Sequence, residues 1–561
     1  MRRSPSNAGL PLGQMRGIDI MSASSKKKLR NEQAAEKLTQ RQLAEQKEAK
    51  KLKGYTIGFC AIILALLILT VSVLSYRAVT GSGFLERNTT AATIGNHKVS
   101  HTELNYYYID AINNFTSQYG SYLSFFGLDT TLPLNQQVEN TETGATWADY
   151  FIDTALNNAA TIYALSDAAK EAGYTLTDAE KTEITNTIAN MEFTALTRNF
   201  PDAETYLKAM YGNGANMKTY REYLENNMLA QSYYDTYAAS LTYDDAALKA
   251  AEAGKEAEYN NYSYSYYIVS TDDYLHNHDE SDAEHSHSAE EKEAAAKAAE
   301  ADAKALSEQG ITDAAAFDKA IAAMKATGKS TLCEDYPYSS VNTDLQAWVS
   351  DSARKTGDVT YIAKKTTSTD ANGAETTEIT GYYVVLFTGT NDNKYPLANV
   401  RHILVAYEGG TPDAYGNTVY SNEEKLAAEI EARKLLQTWE KGEKTEEAFA
   451  ALANQNSDDG DGTTGGLYTD VYPGQMVAEF EDWCFAEGRT KGDTGIVNTT
   501  YGSHVMFYSG DSETLYRDYL IREAKRSADV ESWYNEQIAK NPITKKSTKY
   551  VETGLILSTG Y

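Results

Sequence analysis

The sequence predicts an α+β protein of several domains set behind a single N-terminal transmembrane helix. Three observations predict it: one uncharged apolar run near the start, a tyrosine-rich stretch of helical periodicity, and an α/β pattern that repeats 135 positions later. With 561 residues the chain is too long for one core and has room for three or four folded units. Charge is uneven along it. Residues 1–53 carry 13 Lys+Arg against 5 Asp+Glu, and the rest carries 38 against 74. A body of net charge −36 repels phosphate backbones and excludes nucleic acid as a partner.

The elements follow in order. Residues 1–54 form a basic tail, read as a helix or charged segment. Residues 55–76, YTIGFCAIILALLILTVSVLSY, make an uncharged run long enough to cross a hydrocarbon core of roughly 30 Å as one helix. Lys26, Lys27, Lys28, Arg30, Lys47, Lys50, Lys51 and Lys53 crowd one flank, so the N-terminus is expected in the cytoplasm and the body outside. A cleaved signal peptide is the competing reading, but the run exceeds a signal core and lacks a small-residue cleavage site before Gly81. Of three cysteines, Cys60 falls in the run and Cys333 and Cys484 lie far apart, so no disulfide framework is expected.

A linker is expected at 77–90 and a mainly helical domain at 91–258. The latter opens with a strand, a turn at Gly95-Asn96 and a helix capped at Ser100 or Thr102. Tyr106, Tyr107, Tyr108, Tyr220, Tyr223, Tyr233, Tyr234 and Tyr237 punctuate its helices. Such rings suit either loose binding of unfolded chains or packing between helices.

Two α/β units come next, at 259–395 and 397–510, followed by a C-terminal helix and tail at 511–561. Leu345, Trp348, Gly357 and Asp358 recur as Phe480, Trp483, Gly492 and Asp493, each 135 positions on. Each unit reads strand, helix, helix, loop, short helix and a closing pair of strands, a pattern that needs its own sheet to bury its helices. Between the first strand and helix of the first unit lie His276, His278, His285 and His287 among acids. This is either a metal-binding loop or, preferably, a solvated insertion, and no metal site is expected.

In the second unit, VRHILVAYEGG, SDDGDGTTGGLY, PGQMVAEFEDWCF and IVNTTYGSHVMF follow one another in order. This sequence resembles the parvulin family of peptidyl-prolyl isomerases, and the order of domains is similar to PrsA- and SurA-type extracytoplasmic foldases. The resemblance implies that His402, Asp459, Thr499 and His504 form the catalytic set. It also implies that Leu467, Met476 and Phe480 wall the proline pocket, the last two four apart on one helical face. It makes the helical domain SurA-N-like and a holder of clients, and it has the C-terminal helix return to that domain. The first unit then reads as a degenerate copy, with Tyr267 and Tyr383 at the histidine positions and Val341 and Leu345 at the pocket. Cys484 beside Trp483 is expected to be a small buried residue and not a nucleophile paired with His504.

The chemistry asks for no cofactor. The X-Pro imide resists rotation by roughly 18–20 kcal/mol, and a catalyst must favour the twisted state over both planar isomers. An apolar cup for the ring and a dry hydrogen-bonding site for the carbonyl side suffice. The loop between Val405 and Glu423 contains no Lys or Arg, so no phosphate clamp is expected. The expected function is isomerisation of X-Pro bonds and chaperoning of exported proteins at the outer face of the membrane. The alternative is a holdase that uses the parvulin fold only to bind extended client chains.

Overall fold

The computed structural model describes residues 24–33, 45, 62–76, 79, 81–275, 287–324, 328–369, 374–413, 416–460 and 462–557. The chain divides into two compact units, Met1–Tyr234 with Glu536–Tyr561, and Asp235–Asn535. Residues 245–258, expected in the helical domain, fall within the second of these units. The reason is local: Asp244 caps the helix Asp245–Glu252, and the Glu252 carboxylate is held by Arg517 of the second unit.

In the first unit, residues 62–76 are helical and exposed along their whole length. No helix among the described residues is long and apolar enough to cross a membrane. Residues 55–61 of the apolar run and most of the basic tail lie outside the described residues. The expected linker ends early, because Phe84–Asn88 is a short helix fastened by Arg87 Nη1 to the Gly214 carbonyl at 3.0 Å.

A three-stranded sheet follows, ordered Ile543–Lys545, Thr90–Ile94, His97–Ser100. Gly95 turns the hairpin at φ +53°, where an added Cβ would meet Asn541 Oδ1 at 2.3 Å. Ser100 caps the helix His101–Tyr119 by a reciprocal pair with Glu103, and Thr146 and Thr177 do the same for Trp147–Glu171 and Asp178–Thr197. The tail returns to this helical core: Asn105 donates to the Tyr550 carbonyl at 3.2 Å and accepts from Glu552 N at 3.1 Å. Tyr106, Tyr107, Tyr108 and Tyr220 are buried in that core, so packing, not an open client surface, explains them. Their rings interlock edge to face and tilted, as in Tyr106 on Tyr211 at 5.0 Å.

The second unit holds two antiparallel four-stranded sheets of identical order. One runs Thr331–Pro337, Asn261–Ser270, Glu375–Asn391, Val359–Thr369; the other runs Leu467–Val471, Pro396–Ala406, Gly502–Leu515, Thr494–Asn498. In each, two helices cover one face and a short helix covers the other. Phe317 and Phe449 are the fully buried plugs of the two-helix side. Ala289–Ser307 and Ala314–Ala323 serve the first copy, Asn422–Lys441 and Glu446–Asn456 the second.

The repeat extends to detail. Arg354 lies over Trp348 at 4.3 Å, and Arg489 over Trp483 at 4.0 Å. Asp335 and Asp470 share the left-handed conformation, at φ 52° and 54°, each bulging its strand. The paired strands also correct one expectation. Tyr383 lies opposite Ile268 and Tyr266 opposite Val385, whereas His504 lies opposite Leu404 and His402 opposite Met506. Tyr266, not Tyr267, therefore occupies the His402 position. Tyr267 packs on the two-helix face instead, since neighbours along a strand point to opposite sides.

Replacing Phe449 by alanine should cost about 3–5 kcal/mol, seen as a lower urea midpoint of the second unit; an unchanged midpoint would show that this plug does not support the sheet.

Candidate functional site

The site grows from the strand Pro396–Ala406. Alternation sets His402 and Leu404 on the face covered by the short helix Ala478–Cys484. Gly466, at φ +65°, accepts from His402 N at 2.9 Å; an added Cβ there would sit 2.1 Å from the His402 carbonyl oxygen. On the next strand, His504 projects to the same face. The two rings stack at 5.2 Å between centroids, with Nδ1 to Nδ1 at 3.0 Å.

The loop after the helix Glu446–Asn456 brings in the carboxylate. Ser457 Oγ accepts from Leu404 N and Asp459 N, at 3.1 and 3.2 Å, and Ala406 N donates to Asp458 at 2.9 Å. This stitching holds Asp459 Oδ2 3.0 Å from His402 Nε2, where it also accepts from the Tyr468 hydroxyl at 2.8 Å. At the far end Thr499 Oγ1 lies 2.9 Å from His504 Nε2 and accepts from Tyr501 N at 3.1 Å. Thr499, His504, His402 and Asp459 thus form one file of hydrogen bonds.

Electrostatics fixes the protons along this file. Burial holds the His402 pKa below the ordinary imidazole value; burial, then the His402 charge, lowers His504 to about 4. Both rings are neutral at pH 7, each with one N–H. An ionised Asp459 can only accept, so His402 carries its proton on Nε2 and accepts at Nδ1. His504 then donates from Nδ1 and accepts at Nε2, and the Thr499 hydroxyl donates to it. No donor faces a donor.

Beside the file opens a cavity of about 320 Å³. Leu404, Tyr468, Met476, Val477 and Phe480 supply apolar wall, with Asp459 and the histidines on one side and Gln475 and Tyr501 among the other lining residues. The Phe480 ring meets both histidines at a steep angle, at 5.5 and 5.6 Å between centroids.

Of the seven residues expected in the site, the structure brings His402, Asp459, His504, Met476 and Phe480 to the cavity. Thr499 lies one hydrogen bond behind it. Leu467 is not among the lining residues: it pairs with Arg401 on its strand, and alternation gives the pocket face to Tyr468. Met476 is not on the helix with Phe480. The helix begins at Ala478, and Met476 precedes it in a bend where its N donates to Glu481 Oε1 at 2.8 Å. Sequence reasoning misses Leu404, Tyr468 and Val477, although period-two counting from His402 points to Leu404. Cys484 is buried behind Phe480, where burial pushes its thiol up to about 12, so no thiolate is at hand. No group of three or more His, Cys, Asp or Glu suited to a metal occurs among the described residues. Residues 276–286 of the His-rich loop lie outside them.

Residues 382–508 match the family model of the PPIC-type PPIASE domain, and residues 43–234 match that of the SurA-like N-terminal domain. The chain carries a parvulin-type isomerase domain behind a SurA-like N-terminal domain. Among solved structures, the peptidylprolyl isomerase PrsA from Bacillus anthracis is 21% identical over 27% of this chain and 61% of its own, with a TM-score of 0.17. PrsA from Bacillus cereus is 24% identical over 28% and 56%, also with a TM-score of 0.17. PrsA from Bacillus subtilis is 14% identical over 73% and 93%, with a TM-score of 0.24. The chain spans about three-fifths of the length of the first two. No curated protein matches it.

The depressed histidine values give the parvulin domain a pH dependence. Unfolded imidazoles bind protons below their ordinary value of about 6.5, while folded His504 waits until about 4. Its contribution to stability is therefore full above about pH 6.5 and is lost as the pH falls toward 4, at up to about 1.4 kcal/mol per pH unit. Urea midpoints at pH 7, 5.5 and 4.5 should fall in that order, and His504→Phe should flatten the decline.

Proposed function

We propose that the second α/β copy isomerises X-Pro bonds in unfolded or partly folded exported proteins, while the helical unit and the tail packed on it hold the client. The observation that carries this reading is the apolar cavity with Asp459 at its side. A pyrrolidine ring seats against Met476 and Phe480, and the acyl side of the bond stays free to turn. In the planar imide, resonance places negative charge on the carbonyl oxygen. Set beside that oxygen, the Asp459 carboxylate raises the planar state more than the twisted one and so lowers the barrier between them. Tyr468 and His402 hold the carboxylate in place. Thr499 and His504 fix the tautomer of His402, and the whole file acts without covalent bond or net proton transfer.

The uncharged run at 55–76, with basic residues on its N-terminal side, supports a single membrane-spanning anchor and a body on the outer face. Exposure of every residue from 62 to 76 agrees with an apolar surface meant for lipid. The anchor is tested by deleting residues 1–76: the truncated chain should move from the membrane to the soluble fraction, and retention there would remove the anchor from the proposal.

Two substitutions test the isomerase. Met476→Ala with Phe480→Ala strips two apolar walls from the seat of the ring. It should lower kcat/KM in a proline-limited refolding assay by about a hundredfold or more and leave suppression of client aggregation intact. Asp459→Asn should lower kcat by about tenfold and lower KM with it, because the bound planar state is no longer raised. Wild-type protein that suppresses aggregation without accelerating refolding would make the chain a holdase.

A further inference from the structure

The cavity wall is not held by its own domain alone. Gln475 and Met476 sit on the loop between the strand Leu467–Val471 and the short helix, where Met476 N is held by Glu481 Oε1 at 2.8 Å. The loop folds on itself: Gln475 N donates to the Tyr472 carbonyl at 3.2 Å, and Tyr472 N donates to Gln475 Oε1 at 3.2 Å. Tyr472 then leaves the domain. Its ring stacks on Tyr519 at 4.2 Å with planes 24° apart.

Tyr519 lies in the first turn of the helix Tyr516–Ala539, beyond the end of the parvulin fold. Tyr516, three residues earlier on the same face, stacks with Tyr519 at 6.2 Å and packs on Tyr395 at 5.5 Å. The start of this helix is fixed by Arg517, which is buried and points elsewhere. Its guanidinium pairs with Glu252 and donates to Asn260 Oδ1 at 2.8 Å and to the carbonyls of Glu256, Tyr259 and Asp392 at 2.7, 3.3 and 3.0 Å. Its backbone N donates to the Asn393 carbonyl at 2.8 Å. These partners flank or end the central strands of the first copy.

We infer that Tyr519 is a positioning residue for the prolyl-binding loop, and that the degenerate first copy serves the second as its brace. The contacts run in one line from the first copy through Arg517 to the start of the helix, then through Tyr519 and Tyr472 to Gln475 and Met476. The brace would hold the methionine at the distance from Phe480 and the histidines that a proline ring requires. This rests on the isomerase reading above and deepens it: substrate binding is set by a residue outside the catalytic fold. It also gives the first copy a task that needs neither histidine nor cavity.

The test uses the whole exported body with Tyr519→Ala and Tyr519→Phe. Tyr519→Ala should raise KM for a prolyl peptide by about threefold to tenfold with kcat nearly unchanged, the loss expected of one aromatic pair. Tyr519→Phe keeps the stack and should restore KM to within about twofold of wild type. Thermal melting of each variant separates loop placement from unfolding. If wild type is active and Tyr519→Ala matches it in KM, or loses kcat and KM together with its melting transition, the inference is overturned. If wild type itself is inactive, the isomerase reading fails instead. A local readout is independent of turnover: Met476 methyl resonances should shift in Tyr519→Ala and return in Tyr519→Phe, and unmoved resonances would overturn the brace.

Discussion

Every feature of the site depends on how one pair of strands is aligned. Pairing Pro396–Ala406 with Gly502–Leu515 sets Met506 opposite His402 and Leu404 opposite His504. The histidines become diagonal neighbours on one face, within reach of each other's rings. A slip of one residue would turn either ring to the side packed by two helices, away from Asp459 and Thr499. The register is held by what each face must bury: Ile403, Val505 and Phe507 against the helices, and Val400 and Met506 against Phe480 and Cys484. The polar file survives burial because every nitrogen in it has a partner, and an ionised carboxylate at one end dictates each proton back to the threonine.

The two copies show what this alignment holds when tyrosines stand in place of the histidines. Tyr266 and Tyr383 meet at 5.6 Å, close to the separation of the two histidine rings. Around them Val341, Leu345 and Val349 are buried, so the first copy keeps a packed core on the same face. A phenol fills more space than an imidazole and brings one polar atom instead of two, so it can pack here but cannot relay a tautomer. Sheet order, the arginine over the tryptophan and the left-handed aspartate all persist. The histidine pair is replaced, and the closing hairpin of the first copy is longer, at Val359–Thr369 and Glu375–Asn391 against Thr494–Asn498 and Gly502–Leu515.

The fold of the second unit is legible in the sequence because its signals are local. Capped helices such as Asn422–Lys441 and alternating strands announce themselves, and the 135-residue spacing exposes the duplication without any geometry. Five of seven expected site residues line the cavity. The misses share a cause. Leu467 and Tyr468 are adjacent, and which of them faces inward depends on a bulge in the strand that spacing does not reveal. The same one-residue ambiguity separates Tyr266 from Tyr267. Met476 has helical spacing to Phe480, four residues on, but the helix starts only where Val477 turns the chain. The tyrosines of the first unit are ambiguous in sequence, because amphipathic rings suit a core and a surface equally. Arg517 and Tyr519 are illegible there, as their partners lie scattered through the second unit.

The described cysteines, Cys333 and Cys484, are both free and buried, each packed in a hydrophobic cluster beneath its own sheet. Thiols within reach of solvent tend to be captured by oxidants or by stray sulfhydryls. Sequestered ones escape both fates. A fold built in this way keeps both described thiols out of reach of a passing oxidant or of another chain's sulfhydryl.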